Sequence, residues 1–181
     1  EEIKPDVVIV ATGAVPIVPP IPGINGNNVY LASEVEEKGT DQLGDEIVIL
    51  GGGLVGCETA IHLGKLGKKV TVVEMRSEAA ADCNCFHKIA IGMELEKYVT
   101  VLTDTKAENI TDKGLEGLDK DGNKIFVPAD AVICAAGMRS DTTVADMVQK
   151  MEIEMYVIGD AVRPNKVTQA IFDGYYIAKY L

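Results

Sequence analysis

Apolar residues in this chain fall in short unbroken runs separated by polar, glycine-rich punctuation. The runs DVVIVA (residues 6–11), EIVIL (46–50), VTVVE (70–74) and AVICA (131–135) are each five or six residues long and hardly alternate. Such runs are expected of strands buried on both faces of a parallel sheet. Between the second and third runs, Leu54, Val55, Ala60, Ile61, Leu63 and Leu66 recur at helical spacing, and Gly67 stops the pattern. This is a strand–turn–helix–strand unit. A second helix is predicted over residues 86–98, with Ile89, Met93, Leu95 and Tyr98 on its inner face, followed by a strand at 99–103. Residues 105–111, 114–118 and 124–127 read as an antiparallel meander with a hairpin turn at Asp121-Gly122.

The flanks are less regular. Four prolines within residues 15–23 forbid a helix and predict an extended connector. A short strand follows at 28–31, then a brief helix capped by Ser33 and running to Lys38, and a loop at 39–44 that reads as a domain boundary. Beyond Gly137 comes a polar connector holding Met138, Arg139 and Asp141, a short strand at 155–158, and a last helix over 166–181. Val167, Ala170, Ile171, Tyr175 and Ala178 share one face of that helix.

The chemistry is concentrated at GGGLVGCETA (51–60). Gly51, Gly53 and Gly56 fit G-x-G-x-x-G between a strand and a helix. In that pattern the first glycine allows a sharp turn, the second lets a pyrophosphate approach the backbone, and the third lets helix and strand pack closely. The helix amides that follow favour negative charge. Glu74 ends the next strand at the distance expected of a carboxylate that accepts hydrogen bonds from an adenosine ribose, and it disfavours a 2′-phosphate. Arg76, two residues on, is the residue that would tolerate one. The balance favours NAD(H) over NADP(H).

Composition narrows the classes. The chain has 181 residues, 47% of them hydrophobic, enough for one large or two small packed domains. Its net charge of −11 argues against a nucleic-acid partner. No apolar run approaches the roughly 20 residues needed to cross a membrane as a helix. Of four cysteines, Cys57 and Cys134 sit in apolar contexts and read as core residues. Cys83 and Cys85 form C-x-C with only His87 nearby, which does not make a metal site, so no metal is expected. His62 is expected on the solvated face of its helix. A reducing, cytoplasmic setting is the default. The first residue is Glu1 rather than methionine, as expected of a piece of a longer chain.

A gap-free internal similarity links DVVIVATG (6–13) to DAVICAAG (130–137). Both strands end in Ala-x-Gly, which suggests two domains that each bring a ligand to the backbone at a strand's carboxyl end. Gly159-Asp160 after the strand at 155–158 offers a further ligand-hydroxyl site. Together with VIVATGAVPIVPPIPG, GDAV-R-P at 159–164 and the AIFDGYY helix, these motifs resemble the two-dinucleotide-binding-domain flavoproteins. Within them the chain looks most like the C-terminal FAD/NAD(P)-binding region of old-yellow-enzyme-type NADH:flavin oxidoreductases, the relatives of 2,4-dienoyl-CoA reductase and trimethylamine dehydrogenase.

The resemblance implies an α/β fold in which a Rossmann-like parallel-sheet NAD(P)H domain with an antiparallel meander (44–136) is inserted in a partial FAD-type domain (1–43 and 137–181). It places Ala11, Thr12, Gly13, Asp160 and Ala161 at FAD. It places Gly51, Gly53, Leu54, Val55, Gly56, Glu58, Glu74, Arg76 and Gly137 at the nicotinamide nucleotide, with Glu58 towards the nicotinamide. FMN and an iron–sulfur cluster would belong to an upstream barrel domain, the implied partner, and a homo-oligomer is compatible with the pattern. The family's flavin-gripping glycine turn has no counterpart here. Three readings therefore stand: an electron-input enzyme module, an inert nucleotide-binding module, and a structural fragment. No C-x-x-C dithiol supports a disulfide reductase, and no side chain stands out as a catalytic acid, base or nucleophile.

Overall fold

The computed structural model describes residues 4–181. In chain order the strands are β1 (Val7–Val10), β2 (Ala14–Pro16), β3 (Val29–Leu31), β4 (Glu46–Leu50), β5 (Lys69–Val73), β6 (Val99–Leu102), β7 (Lys106–Thr111), β8 (Gly114–Leu118), β9 (Lys124–Pro128), β10 (Ala131–Cys134), β11 (Met138–Ser140) and β12 (Glu154–Val157). The helices are α1 (Ala32–Lys38), α2 (Leu54–Lys65), α3 (Cys85–Tyr98), α4 (Thr143–Gln149) and α5 (Val167–Tyr180), with a 3-10 turn at Gly159–Ala161. The fold is α/β, with a parallel sheet and antiparallel sheets. The chain divides into two compact units, Val18–Gly137 and a second made of the flanking segments Glu1–Ile17 and Met138–Leu181.

The Val18–Gly137 unit is built on a five-stranded parallel sheet in the order β3-β10-β4-β5-β6. Successive side chains of a strand point to opposite faces, so the unbroken run at β4 serves two covers. Ile47 and Ile49 pack in one cluster with Ala60 and Leu63 of α2 and Val35 of α1. Val48 and Leu50 pack in another with Ile110, Leu115 and Val127 of the antiparallel meander β7-β8-β9. The unit is thus a three-layer stack of helices, sheet and meander. Asp130 joins the strand starts: its carboxylate accepts from the backbone N–H groups of Asp45 and Glu46, both at 2.9 Å.

Several expectations are corrected. The unit begins at Val18 rather than at 44, because β3 pairs with β10, Val132 N–H donates to Asn28 O, and Ile110 N–H donates to Pro22 O. α1 starts at Ala32, and Glu34, not Ser33, satisfies its first turn by accepting from Leu31 N–H. On α3 the buried face is Ile91 and Leu95, packed with Cys57 and Ile61, whereas Ile89 and Met93 are exposed.

The flanking unit pairs β1 with β12 in parallel, and β2 with β11 as a short antiparallel ribbon. That ribbon lies where a proline connector and a polar connector were expected. α4 was not anticipated, and the face of α5 expected to pack is exposed. β1 is less buried than its composition suggests, with Ile9 exposed.

Candidate functional site

In the Val18–Gly137 unit the carboxyl ends of β10, β4 and β5 converge on one cavity of about 780 Å³, within the range of small-molecule sites. From β4 the chain runs to β5 and β6 on one side, while β10 and β3 lie on the other. Such a switch point is where open α/β sheets bind ligands.

The glycine turn forms one wall. Gly51 has φ +110 and donates its N–H to Val73 O at 2.9 Å. A Cβ on Gly56 would lie 2.0 Å from the carbonyl oxygen of Gly51, so only glycine lets α2 come this close to the turn. Gly53 differs: its φ of −69 suits any residue, and a Cβ there would meet nothing nearer than Asp82 at 3.7 Å. The space above Gly53 is a cradle that a side chain would fill, and the first amides of α2 open on it. The geometry thus has a sharp turn at Gly51, open approach at Gly53 and close packing at Gly56, and it could accommodate a phosphate.

The opposite rim is set by Glu74. Its side chain is buried, yet every part of its charge is met. Oε2 accepts from Gly52 N–H at 2.6 Å, and Oε1 accepts from the Arg76 backbone N–H at 2.8 Å and from Arg76 Nε at 3.4 Å. Buried carboxylates persist when hydrogen bonds and a counter-charge compensate them in this way. Each oxygen carries two acceptor sites, so Oε2 retains one for a ribose hydroxyl. Gly52, the unassigned middle glycine, thereby anchors Glu74; its only sequence signal is that it makes the run three glycines long.

Gly51, Gly53, Glu74, Arg76 and Gly137 line the cavity. So do residues that sequence reasoning missed: the prolines at 19, 20 and 22, Met75, Asp82, Thr105, and the start of β7 from Lys106 to Glu108. Leu54 and Val55 open α2 beside it, and Gly56 supports the turn from behind. Glu58 lies elsewhere. It lines a shallow groove between α2 and α3 with His62, Lys65, His87 and Glu94, and its carboxylate is 3.8 Å from His87 Nε2. His62 is exposed, as expected. Cys57 and Cys134 are core residues, and burial pushes the Cys57 thiol up to about 11.

In the flanking unit, the parallel pairing of β1 and β12 brings Ala11, Thr12 and Gly13 to the same sheet end as Gly159, Asp160 and Ala161. Gly13 and Gly159 both have positive φ, and Ala161 is buried. Asp160 Oδ1 accepts from Asn165 N–H at 3.1 Å, which leaves Oδ2 available to a ligand hydroxyl. The residues expected at FAD are thus brought together at one sheet end, and the sequence holds no second G-x-G-x-x-G turn.

A glycine turn at the switch point of a parallel sheet, answered by a buried acid at the end of the next strand, defines a dinucleotide-binding domain. The chain matches the model of the pyridine nucleotide-disulphide oxidoreductase family over residues 1–174, and it belongs to that family. It is 32% identical over 181 residues to an NADH oxidase of Thermoanaerobacter brockii, covering 97% of this chain and 28% of that one. It is 35% identical over 180 residues to a bilirubin reductase of Mediterraneibacter gnavus (strain CC55_001C), covering 98% and 28%. Among solved structures, a complex of 2-naphthoyl-CoA reductase with 2-naphthoyl-CoA superposes with a TM-score of 0.90 at 32% identity, over 98% of this chain and 27% of that one. The chain thus spans somewhat more than a quarter of the length of these proteins. It is an NAD(P)H-dependent flavoprotein oxidoreductase domain, of a family that uses NAD(H) and FAD.

Proposed function

We propose that this chain is the NADH-binding, electron-input region of an old-yellow-enzyme-type NADH:flavin oxidoreductase of the 2,4-dienoyl-CoA reductase and trimethylamine dehydrogenase kind. The observation that carries the reading is the cavity at Gly53, with the amides of α2 on one wall and the compensated Glu74 carboxylate on the other. Gly51, Gly53, Leu54, Val55 and Gly56 hold the nicotinamide nucleotide's phosphates, with Gly137 alongside, and Glu74 takes the adenosine ribose. The Glu74 carboxylate, buried at the end of β5 and closed by Gly52 and Arg76, would repel a 2′-phosphate, which favours NADH. Glu58, expected towards the nicotinamide, is not part of this cavity. Residues 1–17 and 138–181 are the FAD-type half, with Ala11, Thr12, Gly13, Asp160 and Ala161 at the flavin.

Bound nicotinamide supplies a hydride and bound flavin accepts it; this chain's residues bind, orient and exclude water. The remaining length of the relatives has room for an FMN- and iron–sulfur-bearing barrel, the proposed partner. Bilirubin and 2-naphthoyl-CoA each carry conjugated unsaturation, so an enoyl-type acceptor is the proposed substrate class. The cytoplasm, where NADH is supplied, is the proposed compartment; among the described residues no helix is long and apolar enough to cross a membrane. A second reading, nucleotide binding without electron transfer, is favoured for this chain alone by its single glycine turn. Calorimetry of the 181-residue chain tests both: NADH binds, and binds more tightly than NADPH. A yellow preparation that oxidises NADH excludes the inert reading, and failure to bind either nucleotide overturns the assignment.

A further inference from the structure

The phosphate cradle of the glycine turn already holds an anion that belongs to the chain itself. Asp82, in the loop between β5 and α3, accepts a hydrogen bond from Leu54 N–H at 3.0 Å with Oδ1. Its two carboxylate oxygens lie 3.7 and 3.9 Å from where a Cβ of Gly53 would be. The carboxylate therefore occupies the space above Gly53 and takes up the first amide of α2, the group through which a dinucleotide phosphate would be held.

The loop is seated on the turn but the side chain is not trapped. Ala80 is buried, has φ +52, and donates its N–H to Gly52 O at 2.7 Å; Cys83 N–H donates in turn to Ala80 O. Asn84 then caps α3 through His87 N–H. These contacts fix the backbone on either side of Asp82, while Asp82 itself is exposed and can swing into solvent without disturbing them. A carboxylate and a phosphate cannot both hydrogen-bond Leu54 N–H at close range, because like charges a few ångströms apart repel.

We propose that Asp82 is a displaceable internal anion that keeps the phosphate position satisfied in the empty protein, so that its charge lowers and tunes the affinity for the dinucleotide. The inference rests on the nucleotide site proposed above. Asp82 is a positioning and specificity residue, not a catalytic one. Its charge acts on the phosphates, so adenosine, a neutral nucleoside, serves as the reference ligand.

Asp82→Asn and Asp82→Ser both keep a neutral acceptor at the start of α2 and remove the charge. Calorimetry with NADH, ADP and adenosine on the wild-type chain and both variants separates the possibilities. The expected result is about tenfold tighter NADH and ADP binding in both variants, the size of removing one nearby like charge from an open site, with adenosine unchanged. The gain shrinks as salt rises. Unchanged or weaker ADP binding in both variants overturns the proposal while leaving the nucleotide site standing, as does an equal change for adenosine, which a merely structural role would produce. If neither wild type nor variants bind NADH or ADP, the site itself is overturned and this inference falls with it.

Discussion

Gly53 and Gly56 are three residues apart in one motif, yet the structure gives them opposite sensitivities. At Gly56 an alanine Cβ would sit 2.0 Å from Gly51 O and 3.1 Å from Gly51 C, both backbone atoms that cannot move without opening the turn. Forcing that contact costs about 3 kcal/mol. The better helix propensity of alanine returns about 1, leaving a net loss of about 2 kcal/mol. For a chain of this length that is a fall of roughly 4–8 °C in melting temperature. At Gly53 a valine has an allowed backbone, and its Cβ meets only the exposed Asp82 side chain. The fold loses only the N-cap preference of glycine, about 0.5–1 kcal/mol. The cradle, however, is filled. A dinucleotide held off the α2 amides forfeits a charge-assisted hydrogen bond worth about 2 kcal/mol, which is about 30-fold in affinity. Thermal melts and NADH calorimetry on Gly53→Val and Gly56→Ala, run side by side, check both halves. If Gly53→Val melts as low as Gly56→Ala, or binds NADH like the wild type, the division of labour drawn here is refuted.

Two further outcomes follow from titratable groups. The backbone N–H groups of Glu46 and then Asp45 hold the Asp130 carboxyl below its usual range. Ionised Asp130 therefore adds stability above its unfolded value of about 3.9, and that stability is lost as pH falls through the lower folded value. Asp130→Asn should accordingly melt lower than wild type at pH 7 and converge with it in acid, and parallel melting curves across pH 2–7, on the order of the carboxylate range, would count against the role. Cys57, with its thiol pushed up to about 11 and its Sγ donating to Gly52 O at 3.3 Å, should resist iodoacetamide at neutral pH while exposed Cys85 is modified. Peptide mass spectrometry that finds the two labelled at similar rates would contradict the burial argument.

Much of this was legible from residue patterns because the signals were local. EIVIL reads as a two-faced strand since every residue in it must meet a cover, and the glycine spacing reads as a turn since only backbone geometry is involved. What failed depended on distant partners. On α3, Phe86, Ile89 and Met93 form as good an apolar stripe as Ile91 and Leu95; only the position of Cys57 and Ile61 decides which stripe is buried. The proline-rich stretch reads as a connector because proline cannot donate, but Pro22 O accepts from Ile110 N–H and residues 19–22 line the cavity. α4 is seven residues long, too short for periodicity to register. Asp82 carries no sequence signal at all: it is one acid in a loop, and its meaning comes from the amide it faces.

The charge balance explains why so much depends on backbone atoms here. A chain of net charge −11 presents a doubly negative pyrophosphate with an unfavourable long-range field. The cavity does not reverse it, since Glu74, Asp82 and Glu108 line it beside only Arg76 and Lys106, and both cations are already engaged, with Glu74 and Glu108 respectively. The lining of the proposed phosphate site thus carries more acidic than basic side chains, and the backbone amides of α2 are the donors that meet a phosphate directly. At physiological ionic strength the net charge is screened beyond about 8 Å, whereas the α2 amides and the Asp82 carboxylate above Gly53 act in direct contact. The binding proposed for this turn is therefore a matter of close approach, which a single methyl group or a single carboxylate can govern.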